Sequence, residues 1–321
     1  MKKITILTII FVTILFTNGY SQGGNTGSSN NPGIISLTPV IPDQVENIPN
    51  IAYDILKNKL QQIATINGLG GGMSNPRFII TANIAITTKD IIPGPPMQIA
   101  QNMELTFYIA DYLDKKVFSN VIIELTGVGT NENKAYIDAF KNIKPANEKF
   151  KSFIISGKSK IIEYYIAQCN NIINNANSLS GMKRYDEAIY SLTIIPEACT
   201  ECYTKAMNAM KPIYQAYLNQ VCNQNIAKAK AAWAANQNSQ GASDAGQYLS
   251  DIYPDASCYK EAQQLYKEIK GKVLDDWKFE MKKYNDAVDL ESQIIQSYRD
   301  IGVAFGNHQQ PVNYHVNWIV R

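Results

Sequence analysis

The sequence predicts an α+β protein in which a small α/β domain with an antiparallel sheet is followed by an all-α helical-repeat domain ending in a long C-terminal helix. Three observations carry that prediction. Apolar residues alternate with a period of two in several runs between Arg77 and Leu125. After Lys149 every apolar pattern has the helical period. A fragment of this helical half then occurs a second time with its landmarks in the same order. At roughly 150 residues per domain, 321 residues suffice for two separate cores.

Residues 1–21 read as a signal peptide. Lys2 and Lys3 precede the apolar run from Ile4 to Phe16, and Gly19-Tyr20-Ser21 supplies small residues for cleavage before Gln22. The run is shorter than the roughly 20 residues a spanning helix needs, which weighs against an uncleaved anchor. No cysteine follows the cleavage site to take a lipid, and no later stretch holds roughly 18 uninterrupted apolar residues. The expected product is exported, periplasmic or secreted, without a transmembrane segment in its mature form. The basic leader suits a bacterium.

Residues 22–49 read as a flexible tether, rich in Gly, Ser and Asn up to Gly33 and kept extended by Pro39, Pro42 and Pro49. The small α+β domain covers 50–148. Ile51, Ile55, Leu56, Leu60 and Ile63 share one face of a helix reaching about Ile66, and a cluster of glycines from Gly68 stops it. From Phe78 to Ile86 even-numbered apolar residues point one way, the clearest strand in the chain. Alternation resumes from Met103 to Ile109 and from Val117 to Leu125, with a hairpin turn at Asp114-Lys115-Lys116. Gly127-Val128-Gly129-Thr130 then hands the meander to a helix holding Ala135, Ile137, Phe140 and Ile143, with Thr130 or Asn131 as N-cap.

Residues 149–306 read as the helical-repeat domain and 307–321 as a polar tail. A helix containing Ile161, Tyr165 and Ile172 joins a shorter one starting at Tyr185 through Ser180-Gly181-Met182-Lys183, which makes a hairpin. Tyr165 to Asn170 matches Tyr217 to Asn223 with one insertion. Pro196-Glu197-Ala198 and Cys202-Tyr203 are answered by Pro254-Asp255-Ala256 and Cys258-Tyr259. A helix pair that cannot bury its apolar face alone gains by stacking on a copy of itself. A final stripe from Ala262 through Leu265, Ile269, Val273, Trp277, Met281, Tyr284 and Val288 to Tyr298 predicts one long helix, in which Gly271 would mark a bend or a close contact.

The phrase from Met182 to Ile189, closed by Pro196, resembles the second half of a tetratricopeptide hairpin, with Tyr185 and Ala188 at its packing positions. The likeness covers about residues 160–265 and implies stacked hairpins that present a concave surface to another protein. Pro196 comes about one turn early, and the unit is longer than the roughly 34 residues of that family. The helix–strands–helix order from Arg77 to Ile143, above all Gly127 to Ala135, is similar to the small α/β domains of exported envelope proteins such as flagellar assembly protein T. That likeness implies a domain that binds or organises other proteins. The chain as a whole resembles secreted proteins of Bacteroidetes-type bacteria.

All five cysteines lie in the helical half, and an oxidising compartment converts neighbouring thiols to disulfides. Cys169 to Cys202 and Cys222 to Cys258 are similar spans at equivalent positions of the repeat, so these two bridges are expected, with Cys199 the odd thiol. Reading Cys199-Thr200-Glu201-Cys202 as a redox or metal motif would require a strand-to-helix setting or further ligands.

Other motifs fail. Ser156-Gly157-Lys158-Ser159 has the end of a phosphate loop but Ser152 where its first glycine belongs. Gly127 to Glu132 puts a carboxylate where a dinucleotide fingerprint needs glycine, and its glycines are better explained by positive φ and close packing at a strand-to-helix turn. Ser180 to Lys183 has the spacing of a penicillin-binding nucleophile motif without its Lys-Thr-Gly companion. His308 and His315 lack a partnered nucleophile or a metal-spaced third ligand. A net charge of +2 gives no field suited to nucleic acid, and no cofactor or metal is expected. The expected function is that of a noncatalytic envelope protein that binds or scaffolds another envelope protein. An envelope hydrolase acting on peptidoglycan or peptide, or a glycan or small-ligand binder, is the alternative.

Overall fold

A computed structural model describes residues 34–42, 48–71, 77–273, 279–283 and 289–309. The signal peptide, its cleavage site, Trp277, Tyr284, Val288, His315 and Trp318 lie outside these residues. The architecture is α+β, a four-stranded mixed sheet with helices on one face, followed by packed helices. Strands β2 (Phe78–Ile92), β3 (Gln98–Asp111) and β4 (Lys116–Gly129) form the antiparallel meander, with Ile80 opposite Ile109 and Leu105 opposite Ile123.

The segment read as the end of a tether is part of this sheet. Strand β1 (Thr38–Pro39) runs parallel to β2, and Ile35, Leu37 and Ile41 are buried beside it. Those three residues alternate with the period of a strand. Pro39, which has no N–H to donate, suits an edge position, so it marks an edge strand rather than a linker.

Helix α1 (Asn50–Ile66) buries Leu56, Leu60 and Ile63, and α2 (Glu132–Lys141) starts at Asn131, whose side chain accepts from the Lys134 N–H. Lys59 on α1 donates to the Lys141 and Ile143 carbonyls at the far end of α2, where a cation offsets the helix dipole. Gly127 and Gly129 sit in β4 with φ in the ordinary range, and Gly68 is the one glycine with positive φ among the described residues. They are needed for closeness alone: a Cβ on Gly127 would run into the Ala135 carbonyl.

Helix α3 (Glu148–Gly181) serves both halves. Its first turns lie on the sheet, where Phe150 meets Phe107 edge-on at 4.9 Å and Gly157 sits against Ile109. The Gly-Lys-Ser phrase is thus the middle of a helix packed on strands. Beyond Tyr165 the same helix forms a hairpin with α4 (Tyr185–Thr193), turning at Lys183 in the left-handed region. Helices α5 (Thr200–Ala235), α6 (Ser239–Leu249) and α7 (Tyr259–Val273) repeat the long–short alternation.

The duplication is visible in what is buried. Phe153, Gly157, Ile161, Tyr165, Cys169 and Ala176 on α3 are matched at identical spacing by Ala206, Met210, Tyr214, Leu218, Cys222 and Ala229 on α5. Ala188, Leu192 and Ile195 are matched likewise by Ala245, Leu249 and Ile252. In this register Tyr165 corresponds to Leu218, and Tyr217 corresponds to Tyr164, one residue from the match drawn by identity. Burial, not the tyrosine ring, is the repeated property.

The single long C-terminal helix is not observed. Helix α7 ends at Val273, residues 279–283 are not helical, and a separate helix α8 covers Leu290–Gln309. The segment from Phe279 folds back over α7, where the Tyr266 hydroxyl donates to the Phe279 carbonyl and the Tyr259 hydroxyl to that of Lys282. Two helices on one core carry stripes of the same period, so the pattern alone could not reveal the break. Gly271 marks no close contact, since a Cβ there would meet nothing within 4 Å.

Candidate functional site

The structure bonds Cys169 on α3 to Cys202 in the first turn of α5, and Cys222 on α5 to Cys258 just ahead of α7. Each bridge fastens one long helix to the start of the next across the short helix between them. Cys199 is free and buried at the N-cap position of α5, its thiol donating to the Ile162 carbonyl at 3.6 Å. Burial pushes that thiol's pKa up, which favours the unreactive protonated form. Among the described residues no group of three or more His, Cys, Asp or Glu could hold a metal. His308 is exposed on α8, with Nδ1 donating to the Ala304 carbonyl at 2.7 Å.

The concave feature of the helical half lies between α5 and α8. Helix α8 crosses α4 at Gly302, which lies against Thr193, and α5 at Tyr298, whose ring meets that of Tyr214 at 4.6 Å. Phe305 contacts Tyr190 at 5.4 Å between ring centres, and Arg299 pairs with Glu197 at 2.6 Å. Where α8 begins, a cavity of about 830 Å³ opens. Its floor includes Tyr203, Met207, Tyr214, Ile294 and Tyr298, and its rim carries Lys211, Asp255, Asp289 and Glu291. A smaller cavity of about 590 Å³, reached by Asp186, Tyr217, Tyr253 and Phe305, lies at the opposite end of α8.

Burial raises the pKa of the Tyr214 and Tyr298 phenols, with the nearby Asp255 carboxylate adding to the effect. Both therefore stay neutral at physiological pH. A tyrosine-rich floor inside a rim of mixed charge can hold an amphipathic ligand, its apolar side down and its charges toward solvent.

Sequence reasoning missed this groove because it assigned the residues of α8 to a continuation of α7. A start signal was present: the Asp289 carboxylate accepts from the Ser292 N–H, an N-cap three residues ahead of its donor.

No family model matches this chain, and no curated protein matches it in sequence. Among solved structures, a minor lipoprotein from Acinetobacter baumannii aligns at 14% identity and a TM-score of 0.21, over 42% of this chain and 89% of that one. A likeness of that degree carries no argument about fold or function.

Proposed function

We propose that this is an exported, noncatalytic envelope protein whose stacked hairpins, similar to tetratricopeptide repeats, bind or scaffold another envelope protein. The observation that carries the reading is the duplicated burial pattern of α3–α4 and α5–α6, each unit clamped to the next by a disulfide. Disulfides of this kind persist outside the cytoplasm. Among the described residues no helix is long and apolar enough to cross a membrane. Stacked hairpins give an extended, rigid surface rather than a deep enclosed site, which suits protein binding.

The test is affinity capture of the mature protein from its own cell envelope, with crosslinking to map the contact. One partner recovered repeatedly and crosslinked to α4–α8 is the expected result. Repeated capture of nothing, together with turnover of peptidoglycan or peptide by the purified chain, would overturn it. The cavity between α5 and α8 favours one second reading, a glycan or small-ligand binder, because tyrosine faces stack well on sugar rings.

A further inference from the structure

We infer that the tip of the β2–β3 hairpin, Ile91–Met97, dips into the surface of a lipid bilayer and anchors the sheet domain there. This goes beyond the protein-binding reading and uses a different part of the molecule. Helix α3 meets β3 at Phe107 and then Ile109, and reaches the β3–β4 turn at Asp114, so the hairpin tip lies at the end of the sheet away from the helical repeats.

The hairpin outruns the core. Met103 is buried opposite Ile86, whereas every residue from Thr87 to Gln98 is exposed. At about 3.3 Å per residue, the strand from Ile86 to Ile92 carries the tip about 20 Å beyond that covered pair. Strand β4 runs alongside as far as Gly129, opposite Ile99, and braces the arm.

The tip is apolar on both faces. Successive strand residues point to opposite faces, and Ile91 and Ile92 are nonetheless 68% and 43% exposed, with Met97 55% exposed across the turn. Pro93, Pro95 and Pro96 fill the turn, and no charged side chain occurs from Ile91 to Met103. Exposed apolar surface gathered in one place marks an interaction site. A groove on a protein covers one face of such a ribbon, whereas an acyl phase wets both.

The backbone suits the same phase. Pairing continues to Ile92 opposite Gln98, so the bonds between β2 and β3 run up to the turn, and the three prolines there have no N–H to strip of water. Charges stand just behind the tip, where Lys89 pairs with Glu132 at 3.2 Å beside Asp90 in the chain. Their mixed sign suits the headgroup layer and gives anionic lipid no advantage.

The test is flotation of the mature protein, beginning at Gln22, with protein-free vesicles of phosphatidylcholine alone or mixed with phosphatidylglycerol. The wild type is expected to float with both, in low and in high salt. The double variant Ile91→Asp, Met97→Asp should bind at least tenfold more weakly, with circular dichroism unchanged because both side chains are exposed. No flotation of the wild type, or equal flotation of the variant, overturns the inference. Binding confined to phosphatidylglycerol and abolished by salt would place the contact on surface lysines and overturns it as well. In a second measurement, Met97→Trp should add emission that shifts to the blue with vesicles and is quenched by lipids brominated on the acyl chain; an added emission that vesicles leave unchanged overturns the inference. A photocrosslinker at position 97 that captures an envelope protein while flotation fails would assign the tip to a protein and overturn the lipid assignment. The vesicles hold no protein, so failure here leaves partner capture by α4–α8 standing, and failed capture leaves flotation standing.

Discussion

Arg77 donates through Nε to Asp111 at 2.6 Å, with the Asp111 side chain wholly buried and that of Arg77 only 11% exposed. The guanidinium also reaches Asp114 at 2.7 Å, and Asp114 accepts from the Tyr164 hydroxyl at 3.0 Å, so the β3–β4 turn is tied to α3. Burial works against the charge on Arg77, but Tyr165, Asp111 and Asp114 outweigh it and raise its pKa. For Asp111, burial pushes the carboxyl up against the pull of Arg77. Truncating Asp111 leaves the largely buried guanidinium with Asp114, itself partly exposed, as its remaining carboxylate partner. Asp111→Ala is expected to cost about 3–5 kcal/mol in urea unfolding, and a loss below about 1 kcal/mol, the level of an exposed pair, would mean the guanidinium finds water.

Tyr165, Tyr214 and Tyr298 have phenol pKa values raised chiefly by burial. The folded chain therefore keeps these protons to a higher pH than the unfolded chain does. The stability they contribute is fully present below the ordinary tyrosine value of about 10 and is lost as pH rises beyond it. Thermal melts should hold level up to that pH and then fall. Tyrosinate absorbance should show some of the 19 tyrosines ionising only as the protein unfolds.

The Tyr165 hydroxyl is buried with no hydrogen-bond partner, while its ring packs edge-on against Phe78 at 6.2 Å. Tyr165→Phe keeps the ring contact and removes an unsatisfied polar group. The variant is expected to gain about 1 kcal/mol in chemical denaturation. A loss of that size would show that the hydroxyl makes a bond to solvent inside the core.

The two disulfides close spans of 33 and 36 residues, so loop entropy predicts nearly equal contributions. Replacing either pair by alanines should cost about 4 kcal/mol, measured by urea unfolding without reductant. A large inequality would place the difference in the native packing around one bridge.

Gly127 and Gly271 make a paired test. A Cβ at Gly127 collides with the backbone of α2, so Gly127→Ala should lift that helix and cost about 3 kcal/mol, the upper end of the usual scale for overpacking a core. At Gly271, in the last turn of α7, a Cβ meets open space, and Gly271→Ala should add up to about 1 kcal/mol through helix propensity.

Much of the architecture was legible because its periods are simple. The alternation from Phe78 to Ile86 points even-numbered residues toward the core, and those from Phe78 through Ile84 are buried there. The turn at Lys183 and the capping residue Asn131 were readable from local chemistry. What escaped was long-range. Strand β1 has two residues and owes its existence to β2, about forty positions later, so nothing local separates Ile35–Ile41 from a linker. The groove escaped for a related reason: Tyr203, Tyr214 and Tyr298 converge only because α8 turns back across α5, and a one-dimensional stripe does not record a reversal of direction.

Helix α3 runs unbroken for 34 residues, from beneath the sheet to the tip of the first hairpin. With no joint along that span, the strands and the hairpins behave mechanically as one bracket. Whatever grips the far end is held at a fixed angle to the sheet, and a pull there is carried as torque along α3 into β4 instead of being absorbed by a swivel.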